Sequence, residues 1–306
     1  MKVNTVSIFI LTYNQEAVIA QTLEGALMQQ TAFHFNLVIG EDCSTDGTRA
    51  ICEAYAKQYP DKITLLPALD KNIGLIANYM RTIKACDGKY IAICDGDDYW
   101  TDPLKLQKQV AILEANSQYA IVYTRYTRLF PDGSFKPAVL LNTQKETGFL
   151  DLLENNYIPS VTVMFRNIQH EEAVPEWIVN HPYGDWPTYL WILKNGGSIY
   201  FLDEDTSVYR IGIGVSAPLI QVTSKLISAN LKILYDMLND VAFANRSSAI
   251  KAVIAKRRLH LMTSYNRERC YLKGGLELLR NFSLKTNPFQ LVKLYFYSVY
   301  KSLQKK

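Results

Sequence analysis

The sequence predicts an α/β fold with a mostly parallel sheet, helices on both faces and a helical C-terminal extension. Four short apolar runs, at residues 7–11, 35–39, 63–66 and 90–94, alternate with helical stretches. This alternation is typical of right-handed βαβ units. Polar or acidic residues follow three of the runs, so we expect them at the edge of the sheet where open α/β folds bind ligands.

The second half of the sheet is expected to be mixed rather than purely parallel. A strand over 119–128 should turn at residues 131–133 into a hairpin, because Pro, Asp and Gly favour turns. The acidic residues 203–205 are assigned to an exposed turn without a function. Further strands are expected at 161–165, 198–202 and 206–211.

The most unusual feature is the acidic cluster that follows the fourth run, formed by Asp95, Asp97 and Asp98. Three carboxylates so close together repel one another unless positive charge neutralises them, and a divalent cation carrying substrate phosphates would do so. The alternatives are a solvated turn or helix capping. Asp102 before Pro103 already has the pattern of the next helix start, so the sequence favours a metal and phosphate site.

Glu41 and Asp42 follow the second run and are left open between function and turn chemistry. No glycine-rich dinucleotide loop or P-loop follows any strand. Carboxylates and a metal would therefore have to hold the phosphates of any bound nucleotide.

A second unusual segment, residues 181–191, places Asp185 among aromatic side chains at the start of a helix. Asp185 is either a plain N-cap, with Pro187 in the first turn, or a general base whose pKa is raised by Tyr183 and Trp186. The aromatic side chains could also stack on a sugar ring. Tyr209 and Arg210 lead into residues 212–214, a glycine-containing segment suited to a lid.

Residues 218–306 are predicted to be a basic helical region. Residues 1–217 carry 17 Lys and Arg against 25 Asp and Glu, whereas residues 218–306 carry 16 against 4. The last helix interleaves apolar side chains with lysines, and its apolar side either packs on the preceding domain or lies on an anionic membrane surface. No recognised motif favours nucleic acid. Helices are expected over 219–242, 247–279 and 287–303.

Five cysteines without a CxxC pair suit a reduced, cytoplasmic protein. The apolar run near the N-terminus lacks the basic start and cleavage site of a signal peptide, and no run reaches membrane-spanning length. We therefore expect a cytoplasmic protein, with the C-terminal helices as the candidate contact to a membrane.

Six segments in order resemble the family 2 glycosyltransferases, inverting enzymes of the GT-A fold, the fold of nucleotide-diphosphosugar transferases. They span about residues 6–216 and read SIFILTYNQE, IGEDCSTDGTR, KNIGLIANY, ICDGDDYWTDPLKLQKQ, GDW and YRIGIGVS. The resemblance implies a catalytic domain over 1–217, with a nucleotide-sugar part over about 1–100 and an acceptor part over about 101–217, followed by the basic region 218–306.

The resemblance also implies roles for particular residues. Asp95 and Asp97 would form the DxD motif, contacting ribose and a diphosphate bound by Mn²⁺ or Mg²⁺, and Asp98 would be an alternative metal ligand beside Asp97. Asp185 would be the catalytic base, and Trp186, Tyr209 and Arg210 would contact the acceptor or form the lid. Many relatives have a His soon after the Tyr-Arg pair, where this chain has Gly212. The remaining nucleotide-sugar residues would be Thr12, Tyr13, Glu41, Asp42 and Asn72.

The expected reaction is transfer of a sugar from a nucleotide diphosphate sugar to an acceptor hydroxyl of a glycan or a lipid-linked acceptor. Among the possible donors, a UDP-sugar is expected first. Two alternatives remain at this point. A sugar-phosphate nucleotidyltransferase would open with a glycine-rich, Arg-bearing loop after the first strand, which Thr12, Tyr13 and Asn14 do not form. A catalytically inactive sugar- or partner-binding module on the same fold would be favoured if Asp185 were exposed and distant from Asp97.

Overall fold

The computed structural model describes residues 4–213, 222–282 and 287–304. Contacts within the chain divide it into two compact units, Met1–Val215 and Ser216–Lys306. The boundary expected after residue 217 and the last residue of the expected lid, Gly214, lie outside the described residues.

The first unit holds one ten-stranded sheet. Eight strands lie side by side in the spatial order β3-β2-β1-β4-β9-β6-β10-β5, and the other two, β7 and β8, pair with β6 and β10, respectively. Strands β3, β2, β1, β4, β6 and β10 run in the same direction, and β9 lies antiparallel between β4 and β6. The predicted hairpin is confirmed, because β7 pairs antiparallel with β6. The strands are β1 (Val6–Thr12), β2 (Phe35–Glu41), β3 (Ile63–Leu65), β4 (Tyr90–Ile93), β5 (Tyr99–Trp100), β6 (Tyr119–Leu129), β7 (Phe135–Pro137), β8 (Glu146–Gly148), β9 (Met164–Arg166) and β10 (Ser198–Arg210).

Helices cover both faces of this sheet, as predicted. All of β1 is buried: Ile8 and Ile10 share a core with α1 and α4, and the ring of Phe9 packs 5.0 Å from the Tyr79 ring of α3. This two-sided burial explains why the strands are continuous apolar runs. The helices are α1 (Ile19–Leu27), α2 (Thr48–Gln58), α3 (Leu75–Lys84), α4 (Lys105–Ala115), α5 (Phe149–Glu154) and α6 (Asp185–Ile192), with 3-10 turns at Ser160–Thr162 and Glu176–Asn180.

Two expectations for the first unit were wrong. Residues 203–205 do not form a turn between two strands, because β10 continues through them with register shifts between Leu202 and Asp205 and between Asp205 and Val208. Asp102 does not directly precede α4. Asp102 lies in the turn before α4, where its carboxylate accepts hydrogen bonds from the Leu104 N–H at 2.9 Å and from the Lys108 ammonium at 2.7 Å.

The second unit is helical, with α7 (Thr223–Asn239), a 3-10 helix (Val241–Arg246), α8 (Ser247–Arg267), α9 (Tyr271–Asn281) and α10 (Pro288–Gln304). The single helix expected over 247–279 was wrong, because the chain breaks at Arg269, whose φ of 61° is left-handed. Residues 219–221 of the first expected helix lie outside the described part. Within the described ranges, no helix has both the length and the apolar character needed to cross a bilayer.

Candidate active site

The C-terminal ends of three adjacent strands, β2, β1 and β4, form the floor of the candidate site. The chain crosses from β1 to β2 on one side and places β4 on the other, so the order of strands reverses beside β1. Backbone bonds hold the strand ends together: Gly96 donates to Leu11 O at 2.7 Å, and Asp42 donates to Thr12 O at 3.2 Å. A Cβ atom at Gly96 would lie 2.8 Å from Leu11 O, so this close approach requires glycine.

The acidic loop after β4 is fixed by bonds from its neighbours. Asp98 N–H donates to Asp95 O at 2.9 Å, and the Thr22 hydroxyl of α1 contacts Gly96 O at 3.0 Å and Asp98 O at 2.6 Å. The loop therefore holds its carboxylates in place by backbone bonds that do not consume the carboxylate oxygens.

Asp95 and Asp97 are half-buried carboxylates without full hydrogen-bonding. Ser160 donates to Asp95 Oδ2 at 2.8 Å. Among the described residues, only the backbone N–H of Asp97 itself donates to the Asp97 carboxylate. Burial and then the charge of Asp97 raise the pKa of Asp95 to about 7, and burial raises the pKa of Asp97 against the opposing effect of Arg210. The uncompensated negative charge favours a cation at this place.

Asp98 has a different environment from its two neighbours. Its side chain is 1% exposed, and its Oδ1 atom accepts the backbone N–H of Arg210 at 2.8 Å. Burial, followed by the charge of Asp97, raises the pKa of Asp98 well above its usual range. Asp98 thus joins the acidic loop to the end of β10.

Arg210 is fixed rather than free. Its guanidinium donates to Asp97 O and to the Gln21 side chain of α1, and it lies 4.7 Å from the centroid of the Tyr99 ring. Tyr209 is half-buried with its ring edge-on to Tyr126 at 6.0 Å. Through these contacts, Arg210 connects the end of β10 to the acidic loop and to α1. They do not favour the expected place of Arg210 in a lid.

Glu41 and Asp42, which the sequence left open, both accept hydrogen bonds from backbone N–H groups. Glu41 accepts from Ser44 at 2.5 Å, and Asp42 accepts from Ile73 at 2.8 Å and Gly74 at 2.9 Å. Asn72 donates to Asp42 O at 3.0 Å. These three side chains therefore order the loops after β2 and β3 where the chain borders the site.

Thr12 and Tyr13 lie at the end of β1. Thr12 is buried, and its hydroxyl oxygen has no hydrogen-bond partner among the described residues, whereas Tyr13 is 36% exposed. A buried hydroxyl without a partner is costly. A ligand atom that bonds to Thr12 would remove that cost.

Asp185 is the first residue of α6 and is not its N-cap, because Gly184 occupies the N-cap position. Asn156 donates to its Oδ2 atom at 2.8 Å. Burial raises the pKa of Asp185, opposed by hydrogen bonds from Trp186 N–H and Asn156. A Cβ at Gly184 would lie 2.7 Å from the Tyr79 ring, so glycine lets α3 and α6 approach closely beside this carboxylate.

The two halves of the site meet at Asp95 and Asp185. The charge of Asp185 is close enough to raise the pKa of Asp95. The phenols of Tyr79 and Tyr189 lie near both carboxylates, whose charges raise the pKa of each phenol in addition to the larger effect of burial. Two acids separated by 90 positions therefore lie within electrostatic reach of each other.

Trp186 is not at the surface of this cleft. It is 1% exposed, and its indole N–H donates to Leu152 O at 2.8 Å. This placement does not favour the expected stacking on an acceptor sugar and makes Trp186 a packing residue beneath Asp185.

The residues fit a divalent cation only in part. Asp97 and the Oδ1 atom of Asp95 offer hard oxygen ligands. Within the described residues, no three His, Cys, Asp or Glu side chains converge into a metal-binding group. Further ligands would have to come from phosphate oxygens, which is the usual situation for a cation that binds together with its nucleotide.

Three contributors to the site were not found from the sequence: Ser160, Asn156 and Gln21. Ser160 and Asn156 come from the segment before β9 and hold Asp95 and Asp185, respectively. Neither residue stands out in its local sequence, NNYIPS, which mixes polar and apolar side chains. Gln21 faces Arg210 from α1, and nothing in the local pattern distinguishes it from a surface residue.

Comparison with known proteins places this site in a family. The model of "Glycosyl transferase family 2" matches residues 7–171, more than half of the chain. An uncharacterized protein of Mycobacterium tuberculosis is 36% identical over 210 residues, 67% of this chain and 58% of that protein. The chain thus spans less than two thirds of that relative. TuaG of Bacillus subtilis, a glycosyltransferase assigned provisionally to teichuronic acid biosynthesis, is 30% identical over 207 residues, 67% of this chain and 79% of TuaG.

Solved structures with the same fold are more distant in sequence. Residues 1–349 of Staphylococcus aureus TarS in complex with UDP-GlcNAc superpose with a TM-score of 0.60 at 19% identity, over 99% of this chain and 81% of that TarS fragment. The mannosyltransferase PcManGT of Pyrobaculum calidifontis, in complex with GDP-Man and Mn²⁺, also gives 0.60, at 15% identity over 99% and 81%. The fold and the family match confirm the resemblance seen in the motifs, and we conclude that this chain belongs to glycosyl transferase family 2.

Proposed function

We propose that this chain is an inverting glycosyltransferase that moves a sugar from a nucleotide diphosphate sugar to an acceptor hydroxyl in surface polysaccharide or glycolipid synthesis. One observation carries the proposal: a single short segment holds both acids, because Asn156 donates to Asp185 Oδ2 and Ser160 donates to Asp95 Oδ2, each at 2.8 Å. A candidate base and the candidate phosphate site therefore border the same cleft, which a single displacement between donor and acceptor requires.

The donor is proposed to be a nucleotide sugar, with UDP as the first nucleotide to test. TarS was solved with UDP-GlcNAc and PcManGT with GDP-Man. The exposed Tyr13 and the unpartnered hydroxyl of Thr12 would contact the base. Glu41, Asp42 and Asn72 would act on the donor indirectly by holding the loops that shape its pocket.

A divalent cation, Mn²⁺ or Mg²⁺, would be held by Asp97 and Asp95 Oδ1 together with the donor's phosphates. When bound, such a cation neutralises the charge of the leaving diphosphate. We do not assign Asp98 as a ligand, because its buried carboxylate already accepts the Arg210 N–H. Since the donor completes the cation site, we expect donor before acceptor. Acceptor binding of equal strength without donor or cation would contradict that order.

Asp185 would remove the proton from the acceptor hydroxyl. Burial raises its pKa, which suits a general base, and the bond from Asn156 to Oδ2 orients the carboxylate. Attack from the side of Asp185 with departure of the diphosphate on the opposite side would invert the anomeric centre. An inactive binding module is not favoured, because Asp185 is half-buried beside Asp95.

The stereochemistry of the product tests this proposal. We would supply α-linked UDP-sugars and a panel of sugar and lipid-linked acceptors to the intact chain and record the product by NMR. The proposal expects a β-linked product that requires Asp185. An α-linked product, or equal turnover by the Asp185→Asn variant, would contradict it.

A further inference from the structure

Helices α9 and α10 of the second unit are inverted: their polar side faces inward and their apolar side faces outward. The buried residues of α10 are Leu291, Ser298 and Ser302. Asn266 of α8 donates to Ser298 Oγ at 2.8 Å, and the Tyr271 hydroxyl contacts Ser302 Oγ at 2.9 Å. Hydrogen bonds between polar side chains, together with the buried Leu291, therefore join α10 to its neighbours.

The outer face of α10 is apolar. Phe289, Phe296, Tyr300 and Leu303 are 78%, 63%, 57% and 65% exposed. At 100° per residue, these four positions fall on one stripe, on the side of the helix opposite Ser298 and Ser302. An ordinary helix of a water-soluble bundle has the reverse arrangement.

Helix α9 repeats the inversion. Its buried residues are Gly274, Glu277 and Asn281, none of which has an apolar side chain. Leu272, Leu276 and Leu279 follow one another at helical spacing on the opposite side and are 81%, 48% and 65% exposed. Each of these two successive helices therefore exposes an apolar stripe, a feature that marks binding to something apolar.

The charge around these stripes is basic. Lys293 and Lys301 are the only charged residues of α10, and Lys301 lies over the Tyr297 ring at 5.8 Å. Leu279 of the α9 stripe also lines a pocket that contains the basic residues Lys232, Arg258 and Arg280. Glu277 pairs with two of these bases, Arg258 and Arg280, and residues 218–306 hold 16 Lys and Arg against 4 Asp and Glu.

We propose that the outer apolar faces of α9 and α10 dock onto an anionic lipid surface, with both helices in the plane of the membrane and their basic side chains at the level of the phosphates. A second copy of the chain fits the surface less well, because pairing would bring two strongly basic regions together. The proposal does not depend on the sugar transfer proposed above, since no residue of the first unit contributes to it.

Sedimentation of the intact chain with vesicles tests the proposal. Vesicles would contain phosphatidylcholine alone or with about 30% phosphatidylglycerol, at low and high salt. We expect binding to the anionic vesicles that weakens with salt. The variant Phe289→Ser/Phe296→Ser/Leu303→Ser should lower the partition coefficient by at least about 100-fold.

A matched control removes exposed apolar side chains from the first unit. The variant Phe135→Ser/Leu141→Ser, at positions 57% and 79% exposed, should bind the vesicles as the parent chain does. Circular dichroism and nucleotide binding would show that both variants stay folded, and an unchanged nucleotide affinity in the α10 variant would separate this proposal from the donor site.

Three results would overturn the proposal. The first is that the parent chain binds no vesicle. The second is that the α10 variant binds as well as the parent. The third is that light scattering finds a dimer that the α10 variant abolishes without any vesicle binding, which would make the face a contact between copies.

Discussion

At the scale of single residues, the candidate base combines burial with charge. Burial disfavours the ionised form of Asp185, so this charge lowers the free energy of unfolding. A catalytic role would explain why a destabilising charge lies there. Replacing it with Asn removes the charge and keeps the shape and the neighbour Asn156.

We predict that Asp185→Asn lowers the transfer rate by about 10²- to 10⁴-fold, as expected for loss of a general base. The melting temperature should be unchanged or higher, because a buried charge is lost. Rate assays and calorimetric melting measure both. The control is Asp61→Asn at an exposed position. Retained activity, or a large drop in melting temperature, would contradict the assignment.

Lys105 is a second buried charge, with a role in stability rather than in the reaction. Its Nζ atom donates to Gln109 Oε1 at 2.6 Å and to Thr162 O at 3.2 Å, next to the turn that carries Ser160. Burial lowers the pKa of Lys105 to about 7, against about 10.4 in an unfolded chain. Between these values the unfolded chain binds more protons, so this lysine makes stability rise with pH.

We therefore predict that the free energy of unfolding of the parent chain, relative to Lys105→Met, increases from pH 7 to pH 9 by up to about 1.4 kcal/mol per pH unit. Urea unfolding at pH 7, 8 and 9 measures this difference. The exposed Lys57→Met serves as the control. A difference that does not change with pH would show that Lys105 keeps its ordinary pKa in the folded protein.

Residue identity alone did not reveal how these side chains are held. The sequence identified Asp95, Asp97 and Asp185 because acids at a strand end or among aromatic residues are unusual. It could not identify Ser160 or Asn156, because each is an ordinary polar residue whose role depends on a contact 65 or 29 positions away.

At the scale of elements, the end of β10 is tied to the loop after β4. Asp98 accepts the Arg210 N–H, and the Arg210 guanidinium reaches back to Asp97 O and Gln21. Strand β10 thus positions the acidic loop from the far side of the sheet, although it contributes no acid to the cluster.

We predict that Asp98→Ala lowers the free energy of unfolding by about 1–3 kcal/mol, because it leaves a buried N–H without a partner. Asp97→Ala is the matched comparison one position away. It should leave stability within about 0.5 kcal/mol of the parent chain or raise it, since no other described residue donates to that carboxylate. Denaturant unfolding of both variants measures the contrast, and equal losses would contradict the division of roles.

Elements with a strong local pattern were predictable, and elements that depend on distant contacts were not. Strands β1, β2 and β4 are buried on both faces, so their continuous apolar runs could be recognised from the sequence as buried strands. Strand β10 was predicted as two strands, because three consecutive acids resemble a turn. In the structure, Asp203 and Asp205 stay exposed on the strand and contact Arg125 and Thr127 of β6.

At the scale of the whole molecule, the two units differ in charge. The acidic first unit holds the cleft, and the basic second unit holds the inverted helices. The sequence predicted this asymmetry but not the break at Arg269, because helix-favouring residues flank the break on both sides. The outward direction of the apolar stripes also required the structure, because periodicity does not say which side of a helix is covered.

The most direct test of the account is calorimetric binding of UDP, GDP and dTDP to the intact chain and to Asp97→Asn, each with and without Mn²⁺. We predict that one nucleotide, with UDP as the first candidate, binds with a dissociation constant in the micromolar range, that binding requires the cation, and that Asp97→Asn abolishes it. Absence of binding for all three nucleotides under both conditions would contradict the proposed donor site.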